Sequence, residues 1–272
     1  MRDKIVLVTG ATDGIGKQTA LELARLGARV LVHGRSAERC QAVCSEIVEF
    51  TGNKNVEGVV ADFTSLAAVR QLVDEVMRRV PRLDVLINNA GVFMQQRVLT
   101  GDGLETTFAV NHCAHFVLTQ GLLGLLRESA PARVVTVASI AHQRGRIALD
   151  NLQGERHFDG YEAYANSKLC NVLFSYDLAE RLTAGRVTAN CLHPGVIATK
   201  LLSSGFGIAG ADTQTGSATL VFLASSPEVE GVTGRYFVSC REATSSVVSQ
   251  DVGLRKELWK VTERLVSRER GV

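Results

Sequence analysis

The sequence has few aromatic residues, few prolines and no excess charge of either sign. Aromatic side chains make up 6% of the 272 residues, with a single tryptophan, and there are only 4 prolines. Binding of single-stranded nucleic acid relies on several stacked aromatics, and nucleic-acid modules carry a concentrated basic surface. The sequence has 30 Lys and Arg residues and 28 Asp and Glu residues, which gives a net charge of +2. We therefore expect no nucleic acid among the partners.

Long hydrophobic runs and paired cysteine motifs are also absent. No apolar run approaches the roughly 18 residues of a membrane-spanning helix. The first apolar run, residues 5–8, is too short for the core of a signal peptide and is not followed by a small-residue cleavage site. The 6 cysteines include no CxxC pair, and no cluster of metal-ligating residues accompanies them. The pattern is typical of reduced, partly buried thiols. It predicts a cytoplasmic protein with no transmembrane span, no disulfide framework and no metal site.

What the sequence does contain is an alternation of short β-branched runs with amphipathic stretches. Ile5–Thr9 reads as a strand and Gly14–Leu26 as a helix, and Gly103–Arg127 is a longer helical stretch. The alternation continues to a last strand at Arg235–Val238. Nearly continuous apolar strands separated by helices predict an α/β fold, a doubly wound parallel (Rossmann-type) sheet of about seven strands with helices on both faces. With no linker or repeat, residues 1–272 are expected to form a single domain.

The loop after the first strand is rich in glycine. Its spacing is G-x-x-x-G-x-G, and it lies between a strand and the start of a helix. Glycine permits close approach of the backbone to a ligand, and a helix N-terminus suits a pyrophosphate. The alternative is a turn in which glycine serves packing alone. The candidate cofactor-binding residues of this loop are Gly10, Thr12, Asp13, Gly14, Ile15 and Gly16.

Further motifs follow in a fixed order along the chain. After TGxxxGIG at 9–16 come Asn88-Asn89-Ala90-Gly91, Asn111, Ser139, Tyr164-x-x-x-Lys168 and Pro194-Gly195. With this set the sequence resembles the short-chain dehydrogenase/reductase family. Within the family it is most similar to the retinol-dehydrogenase-like group, which also includes the WW-domain oxidoreductases. The resemblance covers nearly the whole chain and implies NAD(P)-dependent hydride transfer at CH–OH or C=O groups.

A tyrosine and a lysine one helical turn apart can exchange a proton with a substrate oxygen. An unperturbed phenol has a pKa of about 10, and a nearby cation favours its ionised form. Tyr164 is therefore the candidate general acid/base and Lys168 its electrostatic partner, while Ser139 would hydrogen-bond the substrate oxygen. The resemblance implies that Lys168 also holds the nicotinamide ribose and that Asn111 anchors a water connecting Lys168 to solvent. Alone, the Tyr-x-x-x-Lys spacing more often marks a solvated helix face, and the other motifs are what favour a catalytic role.

The choice of dinucleotide depends on the end of the second strand. NAD-binding chains normally carry an acid there, but this sequence has Gly34 followed by Arg35. A guanidinium suits a 2′-phosphate, so we expect NADP(H) rather than NAD(H), unless Arg35 is merely an exposed charge. The resemblance places further residues around the cofactor: Asp62 and Phe63 at the adenine, Asn89, Ala90 and Gly91 at the adenine ribose, and Pro194, Gly195, Val196 and Thr199 at the nicotinamide.

The substrate is predicted to be a small, lipophilic carbonyl compound or alcohol. A segment of about 196–212 mixes large apolar residues with Ser and Gly, as in a substrate lid, although an ordinary surface loop has the same composition. An insertion of about 142–160 would lie at the pocket mouth or form plain surface. The amphipathic stretch Asp251–Arg268 could cover the same domain, a sister subunit or a membrane surface.

Two other functions compete with this hypothesis. One is a catalytically idle dinucleotide-binding sensor or interaction protein on the same fold, although such a protein needs no proton donor. The other is an epimerase or dehydratase of the extended branch of the family. Members of that branch usually have a different glycine spacing and a larger C-terminal portion. A homodimer or homotetramer is compatible with the sequence.

Overall fold

The protein was analysed as a computed structural model that describes residues 1–182, 186–198 and 210–267. An eight-stranded sheet forms its centre, in the order β3-β2-β1-β4-β5-β6-β7-β8. The first seven strands are parallel, and β8 pairs antiparallel with β7. The strands are β1 Ile5–Val8, β2 Arg29–Gly34, β3 Val56–Val60, β4 Val85–Asn88, β5 Ala132–Val137, β6 Val187–His193, β7 Tyr236–Val238 and β8 Arg241–Ala243.

Helices cover both faces of the sheet, which confirms the predicted doubly wound fold. α3, α4, α5 and α7 contribute to the hydrophobic core on one face, and α1, α2 and α6 to the core on the other. The chain order reverses between β1 and β4, where ligands bind in such sheets. The helices are α1 Gly14–Arg25, α2 Ala37–Thr51, α3 Leu66–Arg79, α4 over 106–128, α5 Gly160–Arg181, α6 Thr213–Ser225 and α7 Val252–Val266.

α4 begins later than the predicted Gly103–Arg127. Glu105 caps its first turn by accepting hydrogen bonds from Thr107 N and Phe108 N, both at 2.8 Å. The preceding residues form a turn instead, because Thr106 N bonds to Val98 O at 2.9 Å. The helix then contains one π-helical turn, Ala109–Cys113. Such turns often occur at functional sites, and this one holds Asn111.

α7 packs on its own domain. Trp259 is only 5% exposed and contacts Phe116 of α4 and Phe174 of α5, with ring centroids 4.8 and 5.8 Å apart. The guanidinium of Arg181 lies 4.0 Å from the centroid of the Trp259 ring. Of the three roles open for the C-terminal stretch, the structure therefore supports docking on the same domain. No helix in the described part of the chain is long and apolar enough to span a membrane.

Candidate active site

A cleft of about 1320 Å³ opens at the carboxyl ends of the strands. Its walls come from the loops after β1 to β6, as expected for a doubly wound sheet. Every predicted cofactor-binding residue within the described ranges lines it; Thr199 lies outside them. Ser139, Tyr164 and Lys168 also line the cleft, whereas Asn111 lies behind it.

The glycine loop is held too tightly for side chains at two positions. Gly10 has φ 63°, and a Cβ there would lie 2.8 Å from Ala90 Cα. A Cβ at Gly16 would lie 2.3 Å from Gly10 O. The loop also leads directly into α1, whose first-turn N–H groups have no intrahelical partners. Asp13 occupies one of them, accepting a hydrogen bond from Gly14 N at 2.8 Å.

A single threonine joins the glycine loop to the loop after β4. Thr9 Oγ1 accepts hydrogen bonds from Asn89 N at 2.8 Å and Ala90 N at 3.0 Å, and Asn89 Nδ2 donates to Thr9 O at 2.7 Å. Thr9 Oγ1 also contacts His115 Nε2 at 3.2 Å. These bonds fix the two loops against each other where the predicted adenine-ribose residues lie.

Ser139 and Tyr164 meet at the inner end of the cleft. Ser139 follows β5, and its Oγ accepts a hydrogen bond from Ala141 N at 3.2 Å at the start of the 3₁₀ turn Ile140–Arg144. The Ser139 hydroxyl is also hydrogen-bonded to the phenol of Tyr164. Both hydroxyls can therefore address one substrate oxygen.

Burial raises the pKa of Tyr164 to about 12, and the hydrogen bond from Ser139 opposes this shift. The sequence predicts the opposite direction, a pKa lowered by Lys168. The Lys168 ammonium does lie 5.6 Å from the centroid of the Tyr164 ring. However, the loss of hydration around the buried phenol raises its pKa by more than the nearby cation lowers it. The phenol is thus protonated at neutral pH, which is the form that donates a proton.

Lys168 is buried beside the tyrosine, with its ammonium turned toward the end of β5. Its Nζ donates to Val137 O at 3.2 Å, and burial lowers its pKa to about 8. Gly91 leaves space next to it, since a Cβ there would lie 3.5 Å from Lys168 Nζ and 3.4 Å from Asn111 Oδ1. Lysine and asparagine thus approach the same gap from two helices.

Asn111 is held by three side-chain hydrogen bonds. Its Oδ1 accepts from Val92 N at 2.7 Å, and its Nδ2 donates to Val92 O at 3.0 Å and Ser167 Oγ at 2.9 Å. The backbone carbonyl oxygen of Asn111 lies 3.0 Å from His115 Nδ1. The side chain therefore braces the loop after β4 against α5, next to Lys168.

The other end of the cleft carries two exposed arginines. A Cβ at Gly34 would lie 2.4 Å from Thr12 Cγ2, so an acidic side chain does not fit there. Arg35 and Arg39 are exposed along the cleft and form no ion pair with any residue in the described ranges. Lys17, in contrast, pairs with Glu46 at 2.6 Å.

Asp62 and Phe63 lie where β3 ends. Asp62 is exposed, and its Oδ1 accepts from Thr64 N at 3.0 Å. Phe63 is 3% exposed and stacks on His33 at 4.3 Å between centroids. Asp62 therefore has a second carboxylate oxygen at the cleft, while Phe63 mainly supports the wall.

The predicted lid and insertion are only partly accounted for. Residues 199–209 of the lid lie outside the described ranges. Of the insertion, Gln143 and Arg144 line the cleft, and Gln153 instead contacts the 97–105 region through Arg97 Nε and Glu105 N.

Sequence reasoning did not assign His142, although it is fully buried behind Ser139. A histidine three residues after a catalytic serine is a signal only if the turn between them is known. Among the described residues no group of three or more His, Cys, Asp or Glu side chains could hold a metal ion.

The model of a family described as short chain dehydrogenase matches residues 4–206. Human retinol dehydrogenase 14 is 40% identical, over 98% of this chain and 87% of that protein. An uncharacterized protein of Mycobacterium paratuberculosis has a similar structure, with a TM-score of 0.83 and 32% identity, over 100% of this chain and 96% of that one. A short chain dehydrogenase of Escherichia coli CFT073 complexed with NADPH has a TM-score of 0.74 and 28% identity, over 89% of this chain and 98% of that chain.

Proposed function

Because the chain belongs to the short-chain dehydrogenase family of NAD(P)-dependent oxidoreductases, we propose that it uses NADP(H) to interconvert a lipophilic carbonyl compound and its alcohol. The observation that carries this proposal is the meeting of Ser139, Tyr164 and Lys168 at the inner end of the cleft. A sensor or interaction protein would have no need for a protonated phenol beside a hydroxyl and a buried amine.

The residues present fit a bound dinucleotide. The glycine loop offers the N-terminus of α1 to a pyrophosphate. The exposed guanidinium of Arg35 would bind the 2′-phosphate of NADP(H). That the related Escherichia coli protein was obtained as a complex with NADPH favours the same coenzyme here. When bound, the nicotinamide supplies or accepts the hydride. Lys168, next to the gap left by Gly91, would bind the ribose hydroxyls.

The protein side chains handle the proton. In carbonyl reduction, negative charge develops on the substrate oxygen, and hydrogen bonds aimed at that oxygen stabilise it. Ser139 would donate such a bond, while Tyr164 would transfer its phenolic proton to the oxygen. The buried ammonium of Lys168 would stabilise the phenolate left behind, since an opposite charge favours the ionised form.

An apolar substrate is supported by the wall near the tyrosine. Met94, Val110 and Ile140 line the cleft there, and Ile140 is 44% exposed. The relative named retinol dehydrogenase 14 is consistent with a lipophilic alcohol. Arg144 also reaches the cleft, so the substrate need not be apolar throughout.

Replacement of Tyr164 by Phe tests the proposal. We expect kcat for NADPH-dependent reduction of a panel of lipophilic aldehydes and ketones to fall about 100-fold or more, since the proton donor is lost. Tyr161→Phe removes a hydroxyl from the same cleft and is the matched control, with an expected loss below about 10-fold. Equal activity of Tyr164→Phe and wild type would refute the mechanism. Tight NADPH binding without turnover of any compound would instead favour the sensor function.

A further inference from the structure

His142 connects the turn that carries Ser139 to the C-terminal part of the chain. Its Nδ1 lies 2.6 Å from Ser139 O, and its Nε2 accepts a hydrogen bond from Ser246 N at 3.1 Å. Because Nε2 is the acceptor, the ring proton must lie on Nδ1, which donates to Ser139 O. One neutral tautomer therefore satisfies both ends of the ring.

The link continues from Ser246 to the helix that carries the catalytic tyrosine. Ser245 Oγ, one residue away, contacts Tyr176 Oη at 2.7 Å and Ser249 Oγ at 2.7 Å, and Gln250 Nε2 donates to Ser245 Oγ at 2.8 Å. Tyr176 belongs to α5, three turns beyond Tyr164. The path from Ser139 through His142 thus returns to the element that holds Tyr164.

The surroundings of His142 favour its neutral form. The side chain is fully buried, and burial lowers its pKa. Tyr236 of β7 packs against it with ring centroids 4.9 Å apart, and His193 of β6, whose pKa burial lowers to about 4, is the other titratable neighbour. Neither neighbour supplies a negative charge at neutral pH that would favour an imidazolium.

We propose that His142 is a positioning residue that sets Ser139 against Tyr164 by joining the turn Ile140–Arg144 to segment 245–250. Ser139 O also accepts from His142 N at 3.1 Å, so two donors from one residue hold this carbonyl. A shift of about 1 Å at a reacting group can cost about 100-fold in rate. The inference rests on the proposed function of Ser139 and Tyr164.

Two substitutions at position 142 separate the hydrogen bond from the packing of the ring. His142→Phe fills the space but donates nothing to Ser139 O, and we expect kcat to fall about 10- to 100-fold with NADPH affinity within about twofold of wild type. His142→Asn keeps an amide N–H near the position of Nδ1, and we expect it to restore kcat to within about fivefold of wild type. If His142 only filled space, kcat would fall by the same factor in His142→Phe and His142→Asn.

Position 246 tests the far end of the link. Ser246 has φ −60°, a value that proline adopts. Ser246→Pro removes the backbone N–H that donates a hydrogen bond to His142 Nε2. Ser246→Ala keeps the N–H and deletes only an Oγ that has no partner within the described residues. We expect kcat to fall about 10-fold in the proline variant and to stay within about twofold in the alanine variant.

Hydrogen–deuterium exchange of the protein without coenzyme gives a readout independent of activity. Amides of 140–145 should exchange faster in His142→Phe and Ser246→Pro than in His142→Asn, Ser246→Ala and wild type at matched fractions folded. The proposal is overturned if kcat and amide exchange are unchanged in His142→Phe. It is also overturned if kcat falls as far in His142→Asn as in His142→Phe. Tyr164→Phe is assayed in parallel: if it is fully active the proposed function fails, whereas the exchange result still tests the link.

Discussion

At the scale of single residues, burial governs the chemistry of the site. The phenol of Tyr164 and the amine of Lys168 both lie in an apolar interior, which raises the first pKa to about 12 and lowers the second to about 8. Both shifts disfavour charge. At pH 7 the phenol is neutral, whereas the amine, with a pKa near 8, is still mostly an ammonium whose burial costs the folded protein stability. The tyrosine therefore starts as the protonated group, and the ammonium lies beside it to stabilise the phenolate left after proton transfer.

Replacing Lys168 by Met should stabilise the coenzyme-free protein. The unfolded chain keeps the lysine proton up to about pH 10.5, whereas the folded chain loses it above about pH 8. Between these values the unfolded state binds more protons, so the wild type gains stability as the pH rises. We expect Lys168→Met to be more stable by about 1–3 kcal/mol at pH 7, with a gap that narrows from pH 8 to 10.5. Urea unfolding measures it, and a gap independent of pH would contradict the burial argument.

Arg35 is expected to determine the coenzyme preference. Loss of a charged hydrogen-bond partner costs about 1.5–3 kcal/mol, so Arg35→Ala should raise the Kd of NADPH about 10- to 100-fold. The Kd of NADH, which lacks the phosphate, should change less than about threefold, as measured by titration of the intrinsic coenzyme fluorescence. Arg25→Ala, at an exposed arginine paired with Glu22, is the control. Equal losses for the two coenzymes would show that Arg35 does not contact the phosphate.

At the scale of elements, α7 is held by aromatic contacts rather than by its many charges. Its basic residues lie mostly in solvent, whereas Leu258 and Trp259 are buried against α4 and α5. Much of the apolar face that the sequence left open to a membrane or a sister subunit therefore packs on the same domain. Since segment 245–250 leads into α7, this docking also anchors the link from His142 to the catalytic turn.

Truncation of Trp259 should loosen this docking. Trp259→Ala removes the contacts to Phe116 and Phe174 and the cation–π contact with Arg181, and we expect a loss of about 3–5 kcal/mol in the free energy of unfolding. Lys260→Ala, at the next position on the exposed side, should change it by less than about 0.5 kcal/mol. Urea titrations followed by circular dichroism compare them. Similar values for both variants would show that α7 contributes little to the fold.

At the scale of the whole molecule, the same sheet supports both cores and presents the cleft at the carboxyl ends of its strands. Hydrophobic clusters cover its two faces, and residues from β1 to β6 reach the same site. Nothing in this arrangement divides the described residues into independent halves, which supports the hypothesis of a single domain.

A single domain should unfold in one transition. The only tryptophan, Trp259, reports on α7, whereas far-ultraviolet circular dichroism reports on all helices and strands. We expect the two urea curves to coincide. NADPH at about 100 times its Kd should add about 2.7 kcal/mol to the free energy of unfolding. Separate midpoints for the two probes would indicate that α7 or another part unfolds independently.

The sequence by itself determined the order of strands and helices and the identity of the clustered cleft residues. The order of elements follows from apolar periodicity, and the glycine loop and the Tyr-x-x-x-Lys pair follow from their spacing. The resemblance to the family supplied Asn111 and the residues expected around the adenine and the nicotinamide. It missed β8, because the two-residue turn at Ser239 and Cys240 lacks the usual Asn or Gly although both residues have positive φ. It also placed the start of α4 too early, because Glu105 caps the helix and the residues before it form a turn closed by the hydrogen bond from Thr106 N to Val98 O.

Only the tertiary structure decided the electrostatics and the links between distant segments. The direction of the pKa shift of Tyr164 depends on how many atoms surround the phenol, and spacing along a helix does not show this. The contact of His142 with Ser246 joins residues 104 positions apart. Such contacts arise when separate elements pack, because burial and long-range hydrogen bonds depend on the folded arrangement of the chain rather than on its local pattern.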